Sequence, residues 1–355
     1  MIATYIHDLN PVILEITDTI KLRWYGLAYL LAFVCGYQIL KFLGDRKLWV
    51  LPGKYAGDFI AYGAIFGVFL GGRLGSVIFY NWDSFVADPL SLFRVWEGGM
   101  ASHGGIIGMM IFCYVFAKKH QVTWTGLGDG LSVMAPLGIM FGRLANFING
   151  ELYGRVDKTY AWAMKFPNTL WDENMVESQS KNLTQAAAAR ADEGGEYAQF
   201  YEKMVNYSDE YFAGNLPEGS AGYAEFMAMN GEKVERFNEA IRDNEAVREA
   251  VGNYLEPRYP SQLFQAALEG FALFAILFTL RLTWRKAPDG VFSGLFFILY
   301  AIFRISMEQF REPEIAGIKF LGGSWTMGQF LSLFMIAIGV GFLIRAFTRK
   351  SVASS

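Results

Sequence analysis

Long apolar stretches alternate with short polar loops along most of this chain. Seven stretches hold the roughly 20 mostly apolar residues that a membrane-crossing helix needs. They are 24–43, 57–80, 100–117, 127–149, 263–282, 290–310 and 326–347. The fourth is the most interrupted, by Asp129, Arg143 and Asn146. Between the fourth and fifth stretches the pattern changes to polar and helical. An alanine run at 186–189 and charge-laced stretches at 191–205 and 232–250 predict helices, with breakers at Gly194-Gly195, Pro217 and Gly231. The pattern predicts an all-α, polytopic integral membrane protein with about seven transmembrane helices and a small exterior α-rich insert. It divides into an N-terminal membrane half (1–155, four spans), an insert (156–257) and a C-terminal membrane half (258–355, three spans). Asp8, Glu15 and Asp18 interrupt the first 23 residues, so these do not read as a signal peptide.

Composition agrees with the pattern. Of 355 residues, 53% are hydrophobic and 18% charged, and mean hydropathy is +0.23. Disordered, collagenous and nucleic-acid-binding chains have a different balance. The net charge of −3 conceals a division. Residues 156–257 hold 9 basic and 19 acidic side chains, and the remainder 22 basic and 15 acidic. A basic, apolar body thus carries an acidic, water-facing insert. Seven of nine tryptophans (Trp24, Trp49, Trp82, Trp96, Trp124, Trp284, Trp325) fall near predicted span ends, as an interfacial aromatic belt requires. Two cysteines, Cys35 and Cys113, both in apolar runs, exclude a disulfide framework or a Cys-rich metal site. Three histidines (His7, His103, His120) are too few for a His-rich centre, so no metal site is expected.

Basic residues set the orientation. Counting loops and span ends, one face collects twelve Lys and Arg and the other five. The positive-inside rule then places the N-terminus and the 150–262 segment outside, and the C-terminus in the cytoplasm.

Ionisable groups inside a span are costly, and each is a site hypothesis by default. Arg73, His103, Arg143, Arg304 and Glu308 qualify, and the predicted orientation brings all of them to the outer half of the membrane. Arg143 and Asn146 are three apart on one helix face. Arg304, Glu308 and Arg311 would share another face, with Glu308 placed to pair with both arginines. Glycines accompany them: Gly104, Gly105 and Gly108 after His103, and Gly142, Gly150 and Gly154 around Arg143. Plainer readings stand beside these. Arg73 could snorkel or staple spans, Arg304–Glu308 could be a structural ion pair, and His103 could cap its helix. His7 and His120 read as solvated or interfacial, Cys35 and Cys113 as small core residues, and Asp129 as a cap or anchor near the cytoplasmic end of its span. Arginines facing the outer leaflet suit a phospholipid head group, since guanidinium offers phosphate a planar, permanently charged donor fork. No P-loop or Rossmann fingerprint occurs, so no nucleotide cofactor, or any other, is expected.

Ser102-His103-Gly104-Gly105-Ile106-Ile107-Gly108 resembles the His-Gly-Gly motif of bacterial prolipoprotein diacylglyceryl transferases. Gly142-Arg143-Leu144-Ala145-Asn146-Phe147-Ile148-Asn149-Gly150-Glu151-Leu152-Tyr153-Gly154 resembles that family's signature almost position for position. Arg23-Trp24-Tyr25-Gly26, Gly71-Gly72-Arg73-Leu74-Gly75, Tyr259-Pro260-Ser261-Gln262-Leu263 and the run from Arg304 to Arg311 are also similar to family segments. The resemblance spans everything except about 156–257. The family usually has His at Tyr259 and Tyr-Glu at Phe264-Gln265, which favours a structural role for that stretch here. The insert is also longer than the usual loop.

The resemblance implies transfer of diacylglycerol from phosphatidylglycerol to the lipobox cysteine of a preprolipoprotein, in the bacterial inner membrane, with the active site toward the periplasm. It implies His103 as base and Arg143 and Arg304 as stabilisers of the leaving phosphate. Glu308 and Glu151 would orient the arginines. Tyr25, Asn146, Gly154 and Arg73 would bind the head group or order the site. Phosphatidylglycerol, lipobox segments and membrane lipids would be the partners, and no nucleic acid. A lipid transporter or flippase is the main alternative; the one-sided depth and the lack of a repeat argue against it.

Overall fold

In the computed structural model, the described residues are 4–17, 21–94, 99–171, 186–215, 217, 220–312 and 326–348. Trp96 and Trp325 lie outside them. The described chain is overwhelmingly helical, with one antiparallel strand pair, Val12–Glu15 with Lys21–Arg23.

Each apolar stretch forms a helix. The spans are Trp24–Asp45, Gly53–Tyr80, Ser102–His120, Trp124–Ile148, Ser261–Thr283, Val291–Met307 and Met327–Thr348. Five are long and apolar enough to cross a membrane, with mean hydropathy of 1.5–2.2 counted for the last from Gly328. Val291–Met307 is a shorter apolar helix, and Ser102–His120 has 19 residues. In the five, only 17–33% of the most apolar window is buried by the protein itself. Apolar surface left uncovered at that scale needs an apolar solvent, and a bilayer supplies it.

The chain divides into two compact units. One contains Leu27–Gly142, Gln265–Ser306 and the C-terminal helix. Its core joins Leu40, Leu43, Phe59, Phe112, Leu127, Val133, Leu273, Leu277 and Phe292. Glycines bring Gly53–Tyr80 and Ser102–His120 into backbone contact. A Cβ at Gly71 would lie 2.6 Å from the Gly104 carbonyl oxygen and 2.8 Å from the Gly108 Cα. The glycines after His103 therefore seat its helix against the second span, as small-residue stripes do in membranes. Asp129 anchors another contact. Its carboxylate accepts from Gly290 N (2.8 Å), Ser293 N (2.8 Å) and Ser293 Oγ (2.9 Å). It caps the start of Val291–Met307, where Gly290 has no side chain to do so.

The other unit contains the N-terminal residues to Gly26, Arg143–Phe264 and, of the described residues after them, 307–312. It includes Glu196–Phe212, Ala221–Asp243 and Glu245–Gly252. Their core joins Leu170, Ala188, Tyr197, Phe237, Ile241, Val247, Val251 and Leu255. Gly231 does not break its helix as expected. The chain stays helical from Ala221 to Asp243 and turns at Asn244, whose Oδ1 accepts from Ala246 N and Val247 N to start the next helix.

Candidate active site

The signature run begins in a helix and ends in a clamped loop. Arg143 and Asn146 lie in the last two turns of Trp124–Ile148, so their expected shared face holds. Gly150 (φ +66°) and Leu152 (φ +55°) then take left-handed conformations. The segment after Tyr259 grips this loop. Gln262 Nε2 donates to the Glu151 carbonyl at 2.7 Å, and Ser261 Oγ to the Leu152 carbonyl at 3.2 Å. Gly154 N donates to Tyr259 O at 2.9 Å, and Arg155 N to Phe310 O at 2.9 Å. A Cβ at Gly154 would lie 2.6 Å from the Tyr259 carbonyl oxygen. Gly154 sits where three chain segments cross, and only glycine fits there.

Arg258 completes the crossing, and sequence reasoning missed it. Its side chain is almost wholly buried, donates to Gly154 O and Glu312 Oε2 (3.0 Å each) and lies over the Tyr153 ring. Tyr259 Oη donates to the Asp157 carboxylate, and that bond, with the Thr159 donors, holds the Asp157 carboxyl below its ordinary range. Tyr259 also contacts the Tyr160, Phe264 and Phe310 rings.

The same unit holds further polar groups expected at the site. Asn146 is 5% exposed and Glu308 5% exposed. Tyr25, in the first turn of Trp24–Asp45, and Glu151 are partly buried. Burial raises the Glu151 carboxyl above its ordinary range, against a 3.4 Å bond from Asn149 Nδ2. Arg143 is partly buried. Among the described residues, no acceptor lies within hydrogen-bond or ion-pair reach of its guanidinium. His7 supports the loop from behind. It is 6% exposed, not solvated as expected, because Phe147 and Phe166 enclose its ring at 5.4 Å each. Burial lowers its pKa.

His103, Arg73 and Arg304 belong to the other unit. His103 stands exposed in the first turn of Ser102–His120. His120, by contrast, stacks on Phe116 at 4.3 Å and meets Tyr55 at 4.8 Å. Arg73, expected among the head-group ligands, gives its donors to backbone carbonyls: Leu92 (3.0 Å), Ser91 (2.5 Å), Arg94 (3.0 Å) and Gly99 (3.2 Å). It holds the loop at Ser91–Arg94 and Gly99. Arg304 lies in the last turn of Val291–Met307. Its NH1 lies 3.8 Å from Oε1 of Glu269, on the span Ser261–Thr283. Glu269 is a carboxylate inside an apolar run, the same signal that marked the other sites, yet the sequence reading passed over it.

An exposed imidazole in one unit can take a proton, and in the other unit an arginine without an acceptor among the described residues can receive an anion. The family described as prolipoprotein diacylglyceryl transferase matches residues 11–345. The phosphatidylglycerol–prolipoprotein diacylglyceryl transferase of Bdellovibrio bacteriovorus is 38% identical over 348 residues, covering 96% of this chain and 93% of that protein. Proteins of the same name from Shigella boydii and Escherichia coli are each 34% identical over 361 residues, covering 99% of this chain and 98% of theirs. The chain belongs to the prolipoprotein diacylglyceryl transferase family.

Proposed function

We propose that this multi-pass membrane protein transfers the diacylglyceryl group of phosphatidylglycerol to the lipobox cysteine of a preprolipoprotein. The names of its relatives support the reaction, and family membership leaves the transporter alternative without support. The observation that carries the site assignment is Arg143. A guanidinium in an apolar helix is costly without an anion beside it. Among the described residues Arg143 has none, which suits a position that receives one from the substrate.

The chemistry then follows from the residues. The acceptor thiol, with a pKa of about 8.5, is mostly protonated at neutral pH. His103 removes its proton. The thiolate attacks the glyceryl carbon that bears the phosphate ester, the C–O bond breaks, and a thioether forms. Glycerol phosphate leaves with roughly one more negative charge than the phosphodiester carried. Arg143 and Arg304 stabilise that charge in a water-poor site, where the interaction is strong. Glu151 and Glu308 orient the arginines, Tyr25 and Asn146 order the head group, Gly154 closes the loop, and Arg73 holds the carbonyls of Ser91, Leu92, Arg94 and Gly99.

The twelve-to-five bias in basic residues supports a periplasmic N-terminus, a cytoplasmic C-terminus and a site facing the outer leaflet of the inner membrane. A cysteine introduced at Glu196 should then react with an impermeant thiol reagent in intact cells; labelling only after lysis would reverse the orientation. For the site, Arg143→Lys is the decisive variant, because it keeps the charge and loses the fork. Turnover is expected to fall about 10²–10³-fold at an unchanged melting temperature. Near-wild-type turnover would remove Arg143 from the reaction.

A further inference from the structure

We propose that Glu269 positions the Arg304 guanidinium for the lipid phosphate, a role that deepens the reading of Arg304 given above and rests on it. Glu269 is the single ionisable residue between Ser261 and Leu280, in a helix of mean hydropathy 1.9. Its side chain is fully buried. A carboxylate in such surroundings costs several kcal/mol unless charge and hydrogen bonds compensate it. Both are at hand: Arg304 NH1 lies 3.8 Å from Oε1, and Gln265 Nε2 donates to the same oxygen at 3.4 Å.

The backbone under Glu269 is also unusual. Residues Ala266–Ala272 form a π-helical turn, wider than an α-turn, inside an otherwise α-helical span. Such turns are uncommon and recur at functional sites. This one is braced by Gly270, where a Cβ would lie 2.6 Å from the Met140 Cβ and 2.7 Å from the Met140 Cα. The widened turn is pressed against a neighbouring helix beside the carboxylate. Arg304 is itself 13% exposed at the side chain, so it is anchored at one end of its charge while some of its surface stays open. The carboxylate fixes the guanidinium before substrate arrives, and the leaving phosphate then shares the same cation as its charge grows. Preorganised charge of this kind accelerates a reaction more than it tightens ground-state binding.

The test is kinetic, on the full-length protein in mixed micelles of phosphatidylglycerol with a lipobox peptide. Glu269→Gln keeps the shape and removes the charge. Its kcat is expected to fall about 10- to 100-fold, in line with small errors in the placement of a catalytic group. The KM for phosphatidylglycerol should stay within about threefold, since the ground state depends less on that charge. Combined with Arg304→Lys, it should add little further loss, because both changes act on one unit. If Glu269→Gln does not fold, Glu269→Asp carries the test: kcat should fall, at an unchanged melting temperature. Wild-type kcat in the folded variant, or a lower melting temperature with full turnover per folded molecule, would reduce Glu269 to a helix staple. A dead Arg304→Lys beside an active Glu269→Gln would overturn this proposal alone. A fully active Arg304→Lys would overturn the reading of Arg304 and this proposal with it.

Discussion

Three arginines of the apolar body bear the same charge and end in different surroundings. Arg73 is spent on loop carbonyls, Arg304 faces Glu269, and Arg143 meets no acceptor among the described residues. The sequence marks all three alike, because hydropathy reports that a charge is inside a span but not what it meets there. Arg143 and Asn146 were legible as a pair because their spacing lies within one helix. The carbonyls that Arg73 reaches and the carboxylate beside Arg304 are 18 or more residues away, and no local pattern names them. His7 was misread for the same reason, since Phe147 and Phe166 bury it from far along the chain. His103 differs from the other two histidines in standing exposed, with no ring contact among the described residues. Replacing it by Gln removes the proton acceptor, and turnover is expected to fall about 10²–10⁴-fold. The defect should shrink as pH rises past about 8.5, where the acceptor thiol ionises without help. A defect constant from pH 6 to 9 would leave His103 a positioning role only, and lost melting temperature with intact turnover would make it a helix cap.

At the scale of elements, all seven apolar runs became helices, since a long apolar run in a membrane has few ways to satisfy its backbone other than a helix. What escaped were features that leave hydropathy unchanged. The π-helical turns at Gly63–Phe69 and Ala266–Ala272 add width without altering composition. The strand pair Val12–Glu15 and Lys21–Arg23 is too short for period-two alternation to stand out. Asp129 shows what a single cap contributes between elements. It was legible as an anchor, but its target, the start of Val291–Met307, lies about 160 residues on. Asp129→Ala leaves Gly290 N and Ser293 N without this acceptor. It is expected to cost about 1–2 kcal/mol, read as a lower melting temperature in detergent, with turnover per folded molecule within about threefold. An unchanged melting temperature would mean that the cap adds nothing to stability.

For the molecule as a whole, the division of charge and apolarity was the most informative feature of the sequence. A basic, lipid-exposed body and an acidic insert are separated by composition alone, and the family match extends across nearly the entire chain. The motifs resembling the family fall outside the insert, so the insert is expected to serve something other than the chemistry. The central claim is a bond exchange: carbon–oxygen broken in the lipid, carbon–sulfur formed on the peptide. It is tested most directly by incubating the purified protein with phosphatidylglycerol and a lipobox peptide and weighing both products. The peptide should gain the mass of a diacylglyceryl group on its cysteine, with an equal amount of glycerol phosphate released. An unchanged peptide, or one that gains mass while keeping the phosphate, would contradict the account.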